Sequence, residues 1–122
     1  MSRPLGPYAP ARRVGNWVVT SGQVGVHPGP DSAPALVEGG AVPELRQAVA
    51  NLCEVLAAEG AGLADVVKAT LFLVDMAELG AVNQVWIEIF GDHRPTRSVV
   101  GVAALPLGAR VEVEAWAHRP SG

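Results

Sequence analysis

Cysteine is nearly absent. The 122 residues hold one, Cys53, which excludes an intramolecular disulfide framework and leaves too few thiols for a cysteine-based metal site. Positive charge is sparse: nine Lys and Arg stand against twelve Asp and Glu, a formal net charge of −3. No basic run exceeds the adjacent pair Arg12-Arg13. A dedicated nucleic-acid surface needs clustered cations to displace counterions, so no nucleic-acid partner is expected. Nothing approaches the ~20 apolar residues that span a bilayer, and Met1 to Pro10 lacks the apolar stretch of a secretory leader. The expectation is a soluble, cytoplasmic chain with no membrane partner. The sequence also has no dinucleotide glycine fingerprint, P-loop or serine nucleophile elbow. Aromatics make up only 5%, so the core must be built from small aliphatic groups.

What is present suits one folded domain, residues 1–122. Half the chain is hydrophobic, which removes intrinsic disorder from consideration. Gly15-Asn16 between Arg12–Val14 and Trp17–Ser21 reads as a hairpin turn, because both residues tolerate positive φ. His27 to Gly40 is rich in Pro and Gly and reads as a loop. Pro43 to Glu59 is predicted helical: Leu45, Val49, Leu52 and Leu56 recur on one face, and Gly60 is placed to end the helix. Val66 to Val74 is predicted to be a central strand. A second helix, Met76 to Phe90, follows a box-like Asp75…Glu78 start, with Leu79, Val82, Trp86 and Ile89 as its apolar stripe and Gly91 as its stop. Arg97–Leu105 and Arg110–His118 complete a ββαβαββ order. In the last strand Val111, Val113, Ala115 and Ala117 face one way, and Glu112, Glu114, Trp116 and His118 the other. The predicted class is α+β, a mixed sheet with two long helices on one face. The other sheet face is too rich in Val, Trp and Phe to be a plain water face, and a single chain has no third layer. A further copy of the chain is the expected cover.

The chemistry-bearing residues are few. His27, His93 and His118 lack metal-cluster spacing and read as loop or surface residues. Pro95-Thr96-Arg97-Ser98 sets a cation at the start of a strand, where the planar guanidinium fork suits a carboxylate. Glu112 and Glu114 share one face of the last strand, a costly pair unless water or a partner reaches them. If the last two strands pair as a hairpin, Arg97 and Glu112 fall at opposite ends of that ladder. Ordinary surface ion pairs account for both residues on local pattern alone. A carboxylate held in a wet cleft and acting as a base is the other reading.

The segments Gly6-Pro7-Tyr8, Gly15-Asn16, Ser21-Gly22-Gln23, Ala50-Asn51-Leu52, Asp65-Val66-Val67-Lys68, Val82-Asn83, Pro95-Thr96-Arg97-Ser98, Leu105-Pro106 and Val111-Glu112-Val113-Glu114-Ala115 run through nearly the whole chain. In order and spacing they resemble the Rid (reactive intermediate deaminase, YjgF) family. The resemblance implies a chorismate-mutase-like fold assembled as a trimeric barrel, with ligand clefts between subunits of a homotrimer. It implies hydrolysis of enamine-derived 2-imino acids to 2-oxo acids and ammonia, with no metal or organic cofactor. Arg97 matches the family residue that binds the substrate carboxylate, and Glu112 the one that positions the water. Tyr8, Ser21 and Asn83 match cleft-lining residues, Gly22 the glycine beside that serine. Trp86 stands where many relatives carry Tyr or Phe. Val99 stands where many carry Cys, so no thiol serves there. Glu44 replaces a frequent Gln, with an expected effect on local hydrogen bonds only. Asn51 and Cys53 are expected to be structural. A non-catalytic small-ligand binder, a pathway-specific enzyme on the same scaffold and an endoribonuclease are the alternative functions.

Overall fold

A computed structural model describes residues 4–29 and 33–120. The expected loop over 27–40 therefore lies partly outside the described residues. On either side of 30–32 the chain doubles back, with Val26 bridged to Leu36 and Val37 N–H donating to Gly25 O.

Strands β1 (Ala11–Val14) and β2 (Trp17–Thr20) form the expected antiparallel hairpin about Gly15. Gly15 has φ +58°, a conformation that costs a Cβ-bearing residue energy. Helix α1 (Ala41–Ala58) buries Leu45, Val49, Leu52 and Leu56, each worth roughly 1.5–3 kcal/mol on transfer from water. Pro43 lies in the first turn, where its missing N–H has no helical acceptor to lose. Strand β3 (Val66–Leu73) follows, then a 3-10 turn (Met76–Glu78) and helix α2 (Leu79–Phe90). Asp75 caps that turn through Ala77 N–H, while the Glu78 carboxylate accepts from Arg110 rather than closing the expected box. The buried stripe of α2 is Val82, Val85, Trp86 and Phe90. Leu79 and Ile89, expected in it, are half-buried and pack against the same core from the two ends of the helix.

Strands β4 (Thr96–Gly101) and β5 (Val111–His118) do not pair with each other. The sheet order is β1-β2-β5-β3-β4, with β3 parallel to β4 and antiparallel to β5. Helix α2 carries the chain back so that β4 starts alongside the start of β3, as a parallel pair requires. Residues 102–110 then arch over the end of β3, held by Val102 N–H to Leu73 O and Val74 N–H to Arg110 O. The expected strand over Arg97–Leu105 accordingly stops at Gly101.

The sheet is mixed and α+β, with one face buried. Val111, Val113, Ala115 and Ala117 of β5 meet Ala69, Leu71 and Leu73 of β3 in one core with both helices. The opposite face carries Trp17, Trp116, Val14 and Val100, all exposed in the single chain. Trp17 packs edge-on against Trp116 and His118, with ring centroids 6.3 and 5.0 Å apart. No helix among the described residues is long and apolar enough to cross a membrane.

Candidate functional site

Register decides where the two principal residues point. Arg97 lies opposite Ala69, and Ala69 opposite Ala115. Paired residues in a sheet project to one side, and both alanines are buried, so Arg97 turns to the helix side at the β4 edge. Glu112 lies opposite Phe72, itself opposite Val100. That row projects to the open face. Arg97 and Glu112 therefore occupy opposite faces, three rows apart, roughly 10 Å along the strands. The hairpin geometry weighed from the sequence is replaced by a stronger separation, because β3 intervenes.

The first group forms where the β4 edge meets α2. Asn83, Trp86 and Ile87 share a helix face through i, i+3, i+4 spacing. Arg97 Nη2 donates to Asn83 Oδ1 at 2.8 Å, and the guanidinium carbon lies 5.0 Å from the centre of the Trp86 ring. Such a cation–π contact contributes about 0.5–2 kcal/mol. Arg97 Nη1 is buried without a partner among the described residues. Burial lowers the Arg97 pKa from its ordinary value. An arginine held on one flank and one face, with a bare buried N–H edge, is prepared for an anion. These groups, with Arg94, Pro95 and Ile87, line an open recess of about 300 Å³. Val99 follows two residues on, half-buried and packed against the core.

The second group runs from Glu112 through Gly22 to the N-terminal arm. Gln23 and Val113 exchange both backbone hydrogen bonds, at 2.8 and 3.0 Å, which lays Gly22 against the neighbouring Glu112. A Cβ at residue 22 would stand 2.7 Å from the Glu112 carboxyl carbon and 2.8 Å from its Oε2, so only glycine leaves the carboxylate in place. Burial first, and the Glu114 charge second, raise the Glu112 pKa. Ser21 Oγ donates to Ala9 O at 2.7 Å and its N–H to Pro10 O, tying the N-terminal arm to the end of β2. That arm carries Tyr8, which is 43% exposed and accepts from Leu5 N–H at 3.2 Å. Tyr8 and Gly22 line one small cavity, and Tyr8 and Ser21 a shallow hollow beside β1.

Of the six sequence-derived site residues, Arg97 meets Asn83 and Glu112 meets Gly22, while Ser21 and Tyr8 join the N-terminal arm to the segment beside Gly22. Sequence reasoning passed over Trp86 as the platform under Arg97, although its spacing from Asn83 was a readable signal. It also passed over Arg94. Glu44 is corrected: it is buried, and its Oε1 accepts from Arg110 N–H at 2.8 Å, a bond across 66 residues rather than a local one. Asn51 is structural as expected, donating to Val24 O and Val26 O and accepting from Gln47. Cys53 packs partly buried against the core, and burial raises its pKa. His27, His93 and His118 are exposed. Among the described residues no three His, Cys, Asp or Glu stand together as a metal site.

Comparison with known proteins covers nearly the whole chain. The family model described as Endoribonuclease L-PSP matches residues 1–119. A mouse protein named 2-iminobutanoate/2-iminopropanoate deaminase is 45% identical over 93% of this chain and 82% of its own length. The human protein of that name is 40% identical over 93% of this chain and 80% of its own. Among solved structures, RidA from a Psychrobacter species superposes with a TM-score of 0.87 at 33% identity, covering 96% of this chain and 92% of that one. The Escherichia coli YjgF product gives 0.86 at 33% identity, covering 95% and 91%. Sequence and fold agree along nearly the whole chain, which belongs to the endoribonuclease L-PSP family, the family of the YjgF and Rid proteins.

Proposed function

We propose that this protein is a deaminase that hydrolyses reactive 2-imino acids to 2-oxo acids and ammonia, at sites completed between the subunits of a homotrimer. The relatives named as deaminases at 40–45% identity support the reaction. The observation that carries the shared site is the division of the residues. Arg97 and Glu112 leave opposite faces of one sheet, so one chain alone presents a carboxylate clamp without a base and a base without a clamp. A neighbouring copy packed along the free β4 edge, with its own open face turned toward that edge, would bring its own Glu112 group toward Arg97.

The chemistry asks little of the protein. Arg97 binds the substrate carboxylate through its open N–H edge and fixes C2. Glu112 accepts a proton from a water as its oxygen bonds to C2 and the C2–N double bond opens. Glu112 returns that proton to nitrogen, and as the C2–N bond breaks and ammonia leaves, the same carboxylate takes the proton of the C2 hydroxyl and the carbonyl forms. The Ser21 hydroxyl proton is committed to Ala9 O, so its oxygen is left to accept from an N–H of the iminium or the leaving ammonia. Asn83 acts through Arg97, Gly22 leaves room for the Glu112 carboxylate, and Tyr8 lines the cavity on the other side of Gly22.

Mixing two disabled variants tests the shared site. Arg97→Ala and Glu112→Gln should each be inactive on 2-imino acids generated in place by an amino-acid oxidase. Co-refolded in equal amounts, they should regain about a quarter of the sites, since random assembly pairs a good Arg97 with a good Glu112 that often. No recovery from properly assembled mixed trimers would overturn the shared site. Full turnover by Arg97→Ala alone would overturn the deaminase reading itself.

A further inference from the structure

The recess at Arg97 has a second guanidinium on its wall. Arg94 lies in the connection from α2 to β4 and lines the same space as Arg97, Asn83 and Trp86. Its Nε donates to Gly91 O at 2.9 Å. That bond pins the inner edge of the guanidinium to the loop and leaves the outer pair of nitrogens open. Arg94 forms no ion pair with a described residue, unlike Arg46 with Glu88, Arg110 with Glu78 and Arg119 with Asp65. No carboxylate lines the recess. Two cations thus share an uncompensated hollow on a chain whose net charge is −3. One carboxylate satisfies Arg97 and leaves Arg94 unanswered.

We propose that this site favours 2-imino acids bearing a second carboxylate at the far end of a short chain, with Arg94 as the residue that binds that second group. The inference rests on the deaminase reading, in which Arg97 takes the carboxylate beside the imine. The reaction is unchanged: water adds at C2 and ammonia leaves. Arg94 acts on which acid is held. Its forked outer edge suits a bidentate carboxylate, and its exposure makes the preference dependent on ionic strength.

The test compares two product acids of equal carbon length, 2-oxoglutarate and 2-oxopentanoate, which differ in a terminal carboxylate against a methyl group. Calorimetric titration of the assembled protein in low salt should show 2-oxoglutarate bound more tightly by about three- to fivefold, the range an exposed ion pair supplies. Arg94→Ala should abolish the difference and leave 2-oxopentanoate binding within twofold. Arg94→Glu should reverse it. The same order should appear in kcat/KM when an oxidase generates 2-iminoglutarate from glutamate and 2-iminopentanoate from norvaline. Equal binding of both acids by the unaltered protein would overturn the proposal while leaving the deaminase reading intact. So would an Arg94→Ala variant that weakens both acids alike and loosens the assembly, since Arg94 would then serve a neighbouring copy. Failure of the deaminase reading looks different: neither imine is hydrolysed and Arg97→Ala changes nothing.

Discussion

Glu112 carries an environment unlike that of the other carboxylates. Gly22 presses on it, water is partly excluded, and Glu114 stands on the same strand face. Burial and the neighbouring charge both favour its protonated form, so its pKa lies above the usual carboxylate range. A base must be ionised to work. The acid limb of kcat/KM should therefore fall at a higher pH than an ordinary glutamate would give. Glu112→Gln should lower turnover by roughly 10²–10⁴-fold and remove that limb, with little change in 2-oxo acid binding. A pH–rate profile of both proteins checks this, and an unmoved limb in the variant would assign the titration elsewhere. The linkage to stability has a definite sign. The folded chain holds this proton more tightly than the unfolded chain. The contribution is thus complete below the unfolded pKa and is lost as pH rises through the folded one. Arg97 is the reverse case, a cation whose burial is offset by the Asn83 hydrogen bond and the Trp86 ring.

At the scale of elements, buried polar side chains hold loops to helices. Asn51 on α1 satisfies the carbonyls of Val24 and Val26 at 3.1 and 3.0 Å, and so fixes the segment that runs on from Gly22 and Gln23. Asn51→Ala takes its donor from Val26 O, while Val24 O keeps the Val26 N–H. The substitution should cost about 1–3 kcal/mol, read from the denaturant midpoint. A midpoint unchanged within error would mean that another donor reaches Val26 O. Glu44 does the same further along, joining α1 to the start of β5 through Arg110 N–H. Arg13 ties the first hairpin to the rest, donating to Glu59 O at 2.6 Å and to Arg119 O at 2.7 Å. The pair Arg12-Arg13 is therefore divided in use: Arg13 is a structural strut, and Arg12 stays on the exposed side of β1.

At the scale of the molecule, the uncovered sheet face dominates. Trp116 is 49% and Val14 64% exposed in the single chain, alongside Trp17, on a face that has no helix layer. Such a patch is expected to be an interface. Light scattering in dilute buffer should give about three times the 12.6 kDa chain mass. A stable, fully active monomer would defeat both the trimer and the shared site.

The sequence by itself determined what repeats within an element. Side-chain direction follows the backbone period, so the i, i+4 leucines of α1, the Gly15 turn and the alternation of β5 were legible without tertiary information. Family likeness proposes Tyr8, Ser21, Gly22, Asn83, Arg97 and Glu112 as the site, but it does not say that Arg97 and Glu112 leave opposite faces of the sheet. Tertiary structure decided which strands are neighbours. Strand pairing depends on how α2 packs and where the 102–110 arch crosses, and no local period encodes either. For that reason β4 lies beside β3 rather than β5, and Arg97 faces away from Glu112. The same physics governs Glu44: its type and position are written in the chain, but its partner 66 residues on exists only once α1 and β5 have packed.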